Sequence, residues 1–275
     1  MTTQLLPPVP YFGSKATIAH TIVALMPAHT HYVEPYAGSL AVLLAKPPSL
    51  VETVNDLDAQ LVTFWRVLRD QPAELERVCH LTPHSRFEFT AAALEPSTSD
   101  LETARRVWVR LTQGRNGKTT STGWRYHLDP ADRSSLISRY MARHTDRIHA
   151  AAQRLRHVQL ECLPALEIVD RYGVNPDTLI YADPPYLHET RSEGRGYRHE
   201  MSDEDHRILA DALHQCDAAV ILSGYRSPLY DHLYRDWYVE EIPTETTNGG
   251  TGKPTCEILW SNRPLGYRVQ GKLWD

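Results

Sequence analysis

The chain has little that would tie it to an oxidising compartment or to a membrane. Four cysteines stand among 275 residues (Cys79, Cys162, Cys216 and Cys256), and no two form a C-x-x-C pair. That spacing argues against a zinc knuckle or a disulfide framework and suits a reducing cytosol. No apolar run approaches the roughly 20 residues that a membrane span needs. The opening Met1-Thr-Thr-Gln-Leu-Leu-Pro-Pro has neither a basic n-region nor a long apolar core, so no signal peptide is read and a cytoplasmic location is expected. Internal repeats and low-complexity tracts are also missing. The fourteen histidines are scattered, with no His/Cys/Asp cluster at ligand spacing, so no metal is expected. What remains is an ordinary globular composition, 41% hydrophobic and 23% charged. At this length it can form one domain with an insertion, or two small ones.

The net charge of −5 is unevenly spread. Between Leu101 and Leu160 stand twelve Arg and Lys residues against four Asp and Glu, so this segment carries +8 and the remainder −13. Polyanion affinity follows local rather than total charge, which makes the middle segment a candidate phosphate-binding face. The bland alternative is a solvated helical surface that happens to be basic.

The most informative stretch is Thr178-Leu-Ile-Tyr-Ala-Asp-Pro-Pro-Tyr-Leu187. Its apolar run reads as a buried strand, and the two prolines force the chain out of the sheet. Asp183, Pro184, Pro185 and Tyr186 therefore emerge at the carboxyl end of a strand, where open α/β sheets place their ligand crevice. This tetrapeptide should arise by chance in roughly one chain in a thousand of this length. The bland reading is a strand-ending turn.

Other segments supply the rest of an α/β nucleotide-type site. Tyr11-Phe-Gly-Ser-Lys15 precedes a predicted helix from Ala16 to Leu25, with Ser14 as its cap. The aromatic and Lys15 could cover an adenosine ring and pair with a carboxylate, or form a staple and a surface charge. Tyr32-Val33 reads as a strand, Glu34-Pro-Tyr-Ala-Gly38 as a tight turn, and Ser39 as the cap of a helix from Leu40 to Ala45. Val51 to Asp56 is a second strand ending in an acid, where such sites bind ribose hydroxyls. Asp56 could instead cap the helix from Ala59 to Leu68.

From Ala73 to Arg156 the alternation of strand and helix stops. Helical periodicity runs from Leu101 to Gln113 and from Ser134 to Leu155, with a polar loop of glycines, arginines and aromatics between Gln113 and Tyr126. We read residues 73–156 as an inserted target-recognition subdomain, with 1–72 and 157–275 forming the catalytic domain. Arg110, Arg115, Asn116, Lys118 and Arg125 are its candidate contacts to nucleic acid, with Trp124 as a stacking wedge. Strands are expected at Val158–Cys162 and Ala218–Leu222, and helices at Ala165–Tyr172, after a Ser202 cap, and around Pro228–Tyr234. Trp237–Ile242 and Cys256–Trp260 read as an antiparallel edge pair. The charged loop 188–199 looks like a lid whose Arg191, Arg195 and Arg198 turn to phosphate, or a plain surface loop.

In these motifs and their order, the chain resembles the Dam-type DNA adenine methyltransferases along nearly its whole length. Tyr11 to Lys15 is similar to that family's N-terminal cofactor motif, Glu34 to Gly38 to its glycine turn, and Asn55-Asp56 to its acidic strand end. Arg115-Asn-Gly117 and Arg125-Tyr126 resemble its DNA-contacting hairpin, and Asn248-Gly-Gly-Thr with Glu257-Ile-Leu-Trp260 its C-terminal hairpin. Two departures are Leu40, where the family often has a further glycine, and Tyr11, frequently Trp. The resemblance implies a Rossmann-like α/β methyltransferase sheet with an antiparallel C-terminal edge hairpin and an inserted, mainly helical recognition subdomain. It implies S-adenosylmethionine as cofactor, held by Tyr11, Lys15, Glu34, Gly38, Asp56 and Asp183, and double-stranded DNA as partner, with a monomer as the default state.

On that resemblance the expected chemistry is positioning plus electrostatics: the Asp183 carboxylate and Pro184 carbonyl accept hydrogen bonds from an adenine amine, and Tyr186 stacks on the flipped base. Transfer to the cytosine amine, transfer to a protein glutamine amide, or an idle DNA-binding scaffold are the competing readings.

Overall fold

Residues 178–182 form the central strand β4 (Thr178–Ala182), buried along its whole length because both faces of the sheet are covered. A computed structural model describes residues 5–94, 97, 99–118, 122–126, 137–187, 198–244 and 255–266. Beside β4 lies β1 (His31–Glu34), followed outward by β2 (Val51–Asn55) and β3 (Gln159–Glu161), all parallel. On the other side β5 (Ala219–Gly224) continues the parallel set. The hairpin of β6 (Tyr238–Thr244) and β7 (Thr255–Ser261) then closes that edge antiparallel, with its second strand inside. The seven-stranded order β3-β2-β1-β4-β5-β7-β6 is the Rossmann-like methyltransferase sheet with the expected edge hairpin.

Side chains alternate along each strand and so divide the core in two. Tyr32, Leu179, Tyr181, Ile221 and Leu259 join one apolar cluster, and Val33, Ile180, Ala182, Leu222 and Trp260 the other. The second face is covered by α9 (Ala165–Tyr172), α10 (Asp203–His214) and α11 (Pro228–Leu233). Ser202 starts α10 through a reciprocal capping box with Asp205. The first face receives α1 (Ala19–Leu25), α2 (Ala41–Ala45) and α3 (Ala59–Asp70). It also receives α4 (Pro72–Leu81), α5 (Arg86–Leu94), α6 (Asp100–Gln113), α7 (Ile137–Thr145) and α8 (Ile148–Leu155). Leu75, Trp108 and Leu155 of these helices share one buried cluster with Phe64 and Leu43. A buried charge cluster adds to this seam. Glu52 of β2 accepts from Lys46 Nζ at 2.8 Å and from both terminal nitrogens of Arg154 of α8, which also reaches the Leu43 carbonyl at 3.1 Å. No helix among the described residues is long and apolar enough to cross a membrane.

Three local expectations are corrected. The first helix begins at Ala19 rather than Ala16, because Ser14 Oγ is engaged by Ser39 Oγ at 2.7 Å instead of capping it. The same bond takes Ser39 away from α2, whose N-terminal flank is Leu40 in the left-handed region at φ 56°. The expected helical stretch 134–155 breaks after Thr145, giving α7 and α8.

Candidate active site

The strand order reverses between β1 and β4, and open α/β sheets bind ligands where the carboxyl ends diverge at such a point. Glu34 ends β1 and Asp183 follows β4, so both stand at this divergence. A cleft of about 300 Å³ opens there, and Tyr11, Lys15, Glu34, Gly38, Asp56 and Asp183 all line it. Six residues picked from four separate stretches of sequence thus share one cavity.

The glycine turn builds one wall. Gly38 has φ +47°, and a Cβ there would press on the Tyr11 ring at 3.1 Å, so the aromatic can lie over the turn only because the side chain is missing. The Gly38 N–H donates to Asp56 Oδ2 at 3.0 Å and its carbonyl accepts from Trp65 Nε1 at 3.1 Å. The Asp58 N–H donates to Asp56 Oδ1 at 2.9 Å, and it is Asp58, not Asp56, that caps α3 by accepting from the Gln60 N–H. Asp56 is thereby left facing the cleft. Burial pushes its carboxyl up to about 6, against the pull of its two backbone donors.

The opposite wall carries the acid of the Pro-Pro turn. Lys15 Nζ donates to both Asp183 oxygens at 2.8 Å and to the Gly13 carbonyl at 2.8 Å. The Lys15 side chain is 7% exposed and that of Asp183 19%, so this is a buried ion pair with one open side. Glu257 of β7 lies 3.8 Å from the same ammonium and accepts from Ser223 Oγ at 2.6 Å and from the Tyr186 hydroxyl. Burial raises the carboxyls of Asp183 and Glu257 above the ordinary range, with the Lys15 ammonium working against it. Glu34 is raised further, by burial and then by the neighbouring Asp183 charge. Glu34 Oε2 and the Tyr181 hydroxyl lie buried on the cleft wall without a hydrogen-bond partner among the described residues.

Sequence reasoning placed Tyr186 as a stacking surface. Its ring is 6% exposed, set edge-on to Tyr225 with centroids 4.8 Å apart and with Lys15 Nζ 4.8 Å from its centroid. Pro184 is buried beside it, and Pro185 lines the cleft. Tyr181, Ser223 and Glu257 went unremarked as site residues. Two signals were available: period two puts Tyr181 on the side of Asp183, and Glu257 is an acid directly before the apolar run Ile258-Leu-Trp260.

The polar loop after α6 closes as a short hairpin. The Arg115 N–H donates to the Gly123 carbonyl at 2.9 Å and the Arg125 N–H to the Gln113 carbonyl at 2.7 Å. The loop docks on the Tyr11–Lys15 segment: the Phe12 N–H donates to the Gly117 carbonyl at 2.9 Å, and Lys118 Nζ sits 4.5 Å from the Phe12 ring centroid. Arg115 and Asn116 are exposed there. Of the other expected contacts, Arg110 and Lys118 are buried, and Arg110 stacks its guanidinium 4.4 Å from the Phe89 ring. Arg125 is half-buried, 4.3 Å over Tyr140. Much of the basic excess is likewise turned inward: Arg105 pairs with Glu88 and Glu102, Arg106 with Glu102, and Arg154 with Glu52. Arg198, exposed at the surface, pairs with Asp58 at 3.0 Å, while Arg191 and Arg195 lie outside the described residues. Sequence reasoning missed Arg86, whose guanidinium covers the half-buried Trp124 at 4.7 Å in a stack that continues through the exposed Tyr126, covered by Arg115 at 5.3 Å.

Comparison with known proteins adds to this geometry. Residues 11–248 match the family of D12 class N6 adenine-specific DNA methyltransferases. The Type II methyltransferase M1.LlaDCHI of Lactococcus lactis subsp. cremoris is 28% identical over 284 residues, covering 94% of this chain and 96% of its own. Among solved structures, the SAM-dependent methyltransferase from Agrobacterium tumefaciens aligns at 10% identity and a TM-score of 0.39, over 90% of this chain and 61% of that one. The rRNA methyltransferase AviRa from Streptomyces viridochromogenes aligns at 15% identity and a TM-score of 0.35, over 94% and 89%. At those scores neither structure bears on activity.

Proposed function

The chain belongs to the D12 class of N6 adenine-specific DNA methyltransferases, and from that membership we propose how its cleft performs the reaction. The activity is transfer of a methyl group from S-adenosylmethionine to the exocyclic amine of adenine in DNA. The residues of the cleft fit that cofactor. Its wall carries the carboxyl groups of Glu34, Asp56 and Asp183, and the buried Glu34 Oε2 supplies an acceptor there. Tyr11 and the bare Gly38 form a flat cradle, and Asp56 offers its carboxylate to vicinal hydroxyls. When bound, S-adenosylmethionine supplies a methyl group already activated on sulfur.

The chain then has to present a poor nucleophile correctly. The adenine amine has its lone pair drawn into the ring. Asp183 Oδ and the Pro184 carbonyl would accept its two hydrogens, drawing the nitrogen towards tetrahedral geometry and aiming it at the methyl. Lys15 holds the Asp183 carboxylate by both oxygens, and each oxygen retains a lone pair for the amine. The Pro184-Pro185 pair fixes the direction of the carbonyl. Tyr186, buried and tied to Glu257, would close one side of a slot for the base. Adenine reaches such a slot in double-stranded DNA only by leaving the stack.

Residues 1–72 and 157–275 would carry the cofactor chemistry and 73–156 the recognition of DNA. Arg115, Asn116 and the Arg86–Trp124–Tyr126 stack are the groups suited to phosphate and base contact, next to the cleft through the Gly117 dock. By likeness to the Lactococcus type II methyltransferase, a type II role is proposed for this chain as well. A single observation carries the mechanism: a lysine-held carboxylate at the tip of β4 opens into the same cleft as the Gly38–Asp56 turn. The test is incubation with methyl-labelled cofactor and duplex DNA, then digestion to nucleosides. Label in N6-methyladenine is expected. Label in N4-methylcytosine or in protein, or no label at all, would overturn the reading.

A further inference from the structure

Glu257 is an acid on a strand whose next three residues, Ile258, Leu259 and Trp260, are all buried apolar side chains. A carboxylate buried among such neighbours is costly unless it is bonded. Its bonds run to the reacting turn. Oε1 accepts from the Tyr186 hydroxyl and from Ser223 Oγ, and lies 3.8 Å from Lys15 Nζ, which in turn holds both oxygens of Asp183. The turn from Asp183 to Tyr186 is thus gripped at both ends, directly at Tyr186 and through Lys15 at Asp183.

Resting on the reading of Asp183 as acceptor for the adenine amine, we propose that Glu257 is a positioning residue of the methyl transfer. It pins Tyr186 and shares the Lys15 ammonium, so that Asp183 keeps its direction and enough basicity to bind the amine. Were Glu257 neutral, the whole charge of Lys15 would fall to Asp183, weakening that carboxylate as an acceptor. A purely architectural role would need no charge here, since an apolar side chain of the same volume would hold β7 in place as well or better.

The experiment compares wild type with Glu257→Gln, Glu257→Asp and Glu257→Ala. Glu240→Gln on the exposed side of β6 controls for net charge on DNA binding. Gln keeps the shape and can still accept from Tyr186 and Ser223, so it isolates the charge. Expected for Glu257→Gln is a fall in kcat of about 10–100-fold, the range for losing a supporting partner behind a reacting group, with cofactor affinity unchanged. The acid limb of kcat should also move to lower pH, because Asp183 loses a like charge and gains the undivided Lys15. The groups facing Glu257 are Lys15, Asp183, Tyr186, Tyr181, Tyr225 and Cys256. Burial raises the three tyrosines and the thiol above their ordinary values, so the acid limb reports the carboxylates, Glu34 included. Glu257→Asp should recover part of the rate and Glu257→Ala should lose more.

Wild-type kcat and an unmoved acid limb in Glu257→Gln would overturn the proposal. So would a loss of rate that matches a loss of folded protein by circular dichroism with the limb in place. Wild type that methylates adenine while Glu257→Gln behaves normally sinks this inference alone, whereas wild type that fails on adenine sinks the reading beneath it.

Discussion

Replacing Lys15 by Met should make stability fall more steeply with rising pH than it does in wild type. The two side chains are similar in volume, so the packing survives and the charge is removed. Lys15 is 7% exposed and sits 2.8 Å from Asp183, so its loss leaves a carboxylate in the interior. Breaking a buried pair from one side costs about 3–5 kcal/mol when the remaining charge stays ionised. Asp183 can escape by taking a proton, at about 1.4 kcal/mol for each pH unit above its ordinary value near 3.9. That route costs about 1.5 kcal/mol at pH 5 and about 5.6 kcal/mol at pH 8, where remaining charged becomes the cheaper choice. The sign follows from linkage. In the variant Asp183 has a folded-state pKa above its unfolded value, so the stability it lends is complete below about pH 4 and is lost as pH rises through the folded value. Lys15→Met should therefore lose about 1.5 kcal/mol against wild type at pH 5 and about 3–5 kcal/mol at pH 8. Urea denaturation followed by tryptophan fluorescence at both pH values measures this directly. A deficit of equal size at pH 5 and pH 8 would refute the picture of a buried carboxylate relieved by protonation.

Three further outcomes are expected. Cofactor binding by calorimetry should weaken as pH falls through about 6, where burial has placed the Asp56 carboxyl, by up to about tenfold per unit if the protonated acid no longer binds. Asp56→Asn should flatten that dependence, and a flat wild-type profile from pH 5 to 8 would remove Asp56 from the cofactor site. Gly117→Ala, which forces a Cβ to within 2.9 Å of the Tyr11 backbone at φ +61°, should weaken cofactor and DNA binding together. Gly123→Ala, meeting Arg115 only at ordinary contact distance, should leave both near wild type. Arg115→Ala should lower DNA affinity and reduce the salt slope by about 1, whereas Arg110→Ala, which removes packing on Phe89, should lower stability and leave the slope alone.

The sheet was legible because its signals are local and one-sided. Two prolines after a buried run admit no other end to β4, and the Ser202-x-x-Asp205 pair announces α10. The cleft was legible because acids and glycines at strand ends have few structural uses. Charge was harder to read, because composition counts arginines without giving their direction. Arg105, Arg110 and Arg154 turn inward to Glu102, Phe89 and Glu52, partners 3, 21 and 102 residues away. Capping was misjudged for a related reason: Ser14 and Ser39 are good caps in isolation, but 25 residues apart they bond each other. Tyr186 shows the same limit. Its position after the prolines could be read, while its partner Glu257 lies 71 residues downstream and becomes a neighbour only once β7 has inserted beside β5.

The seating of Gly117 against the Tyr11–Phe12 backbone has a bearing on how new target specificities can arise. A graft of a foreign recognition segment would have to bring the left-handed kink at this position with it, or the donor cradle would shift along with the reading surface. Position 117 is therefore the constrained point of this loop. Chimaeras cut on the far side of residue 118 should retain methyl transfer while exchanging targets, and those cut before residue 114 should succeed only when the incoming chain carries glycine at the kink.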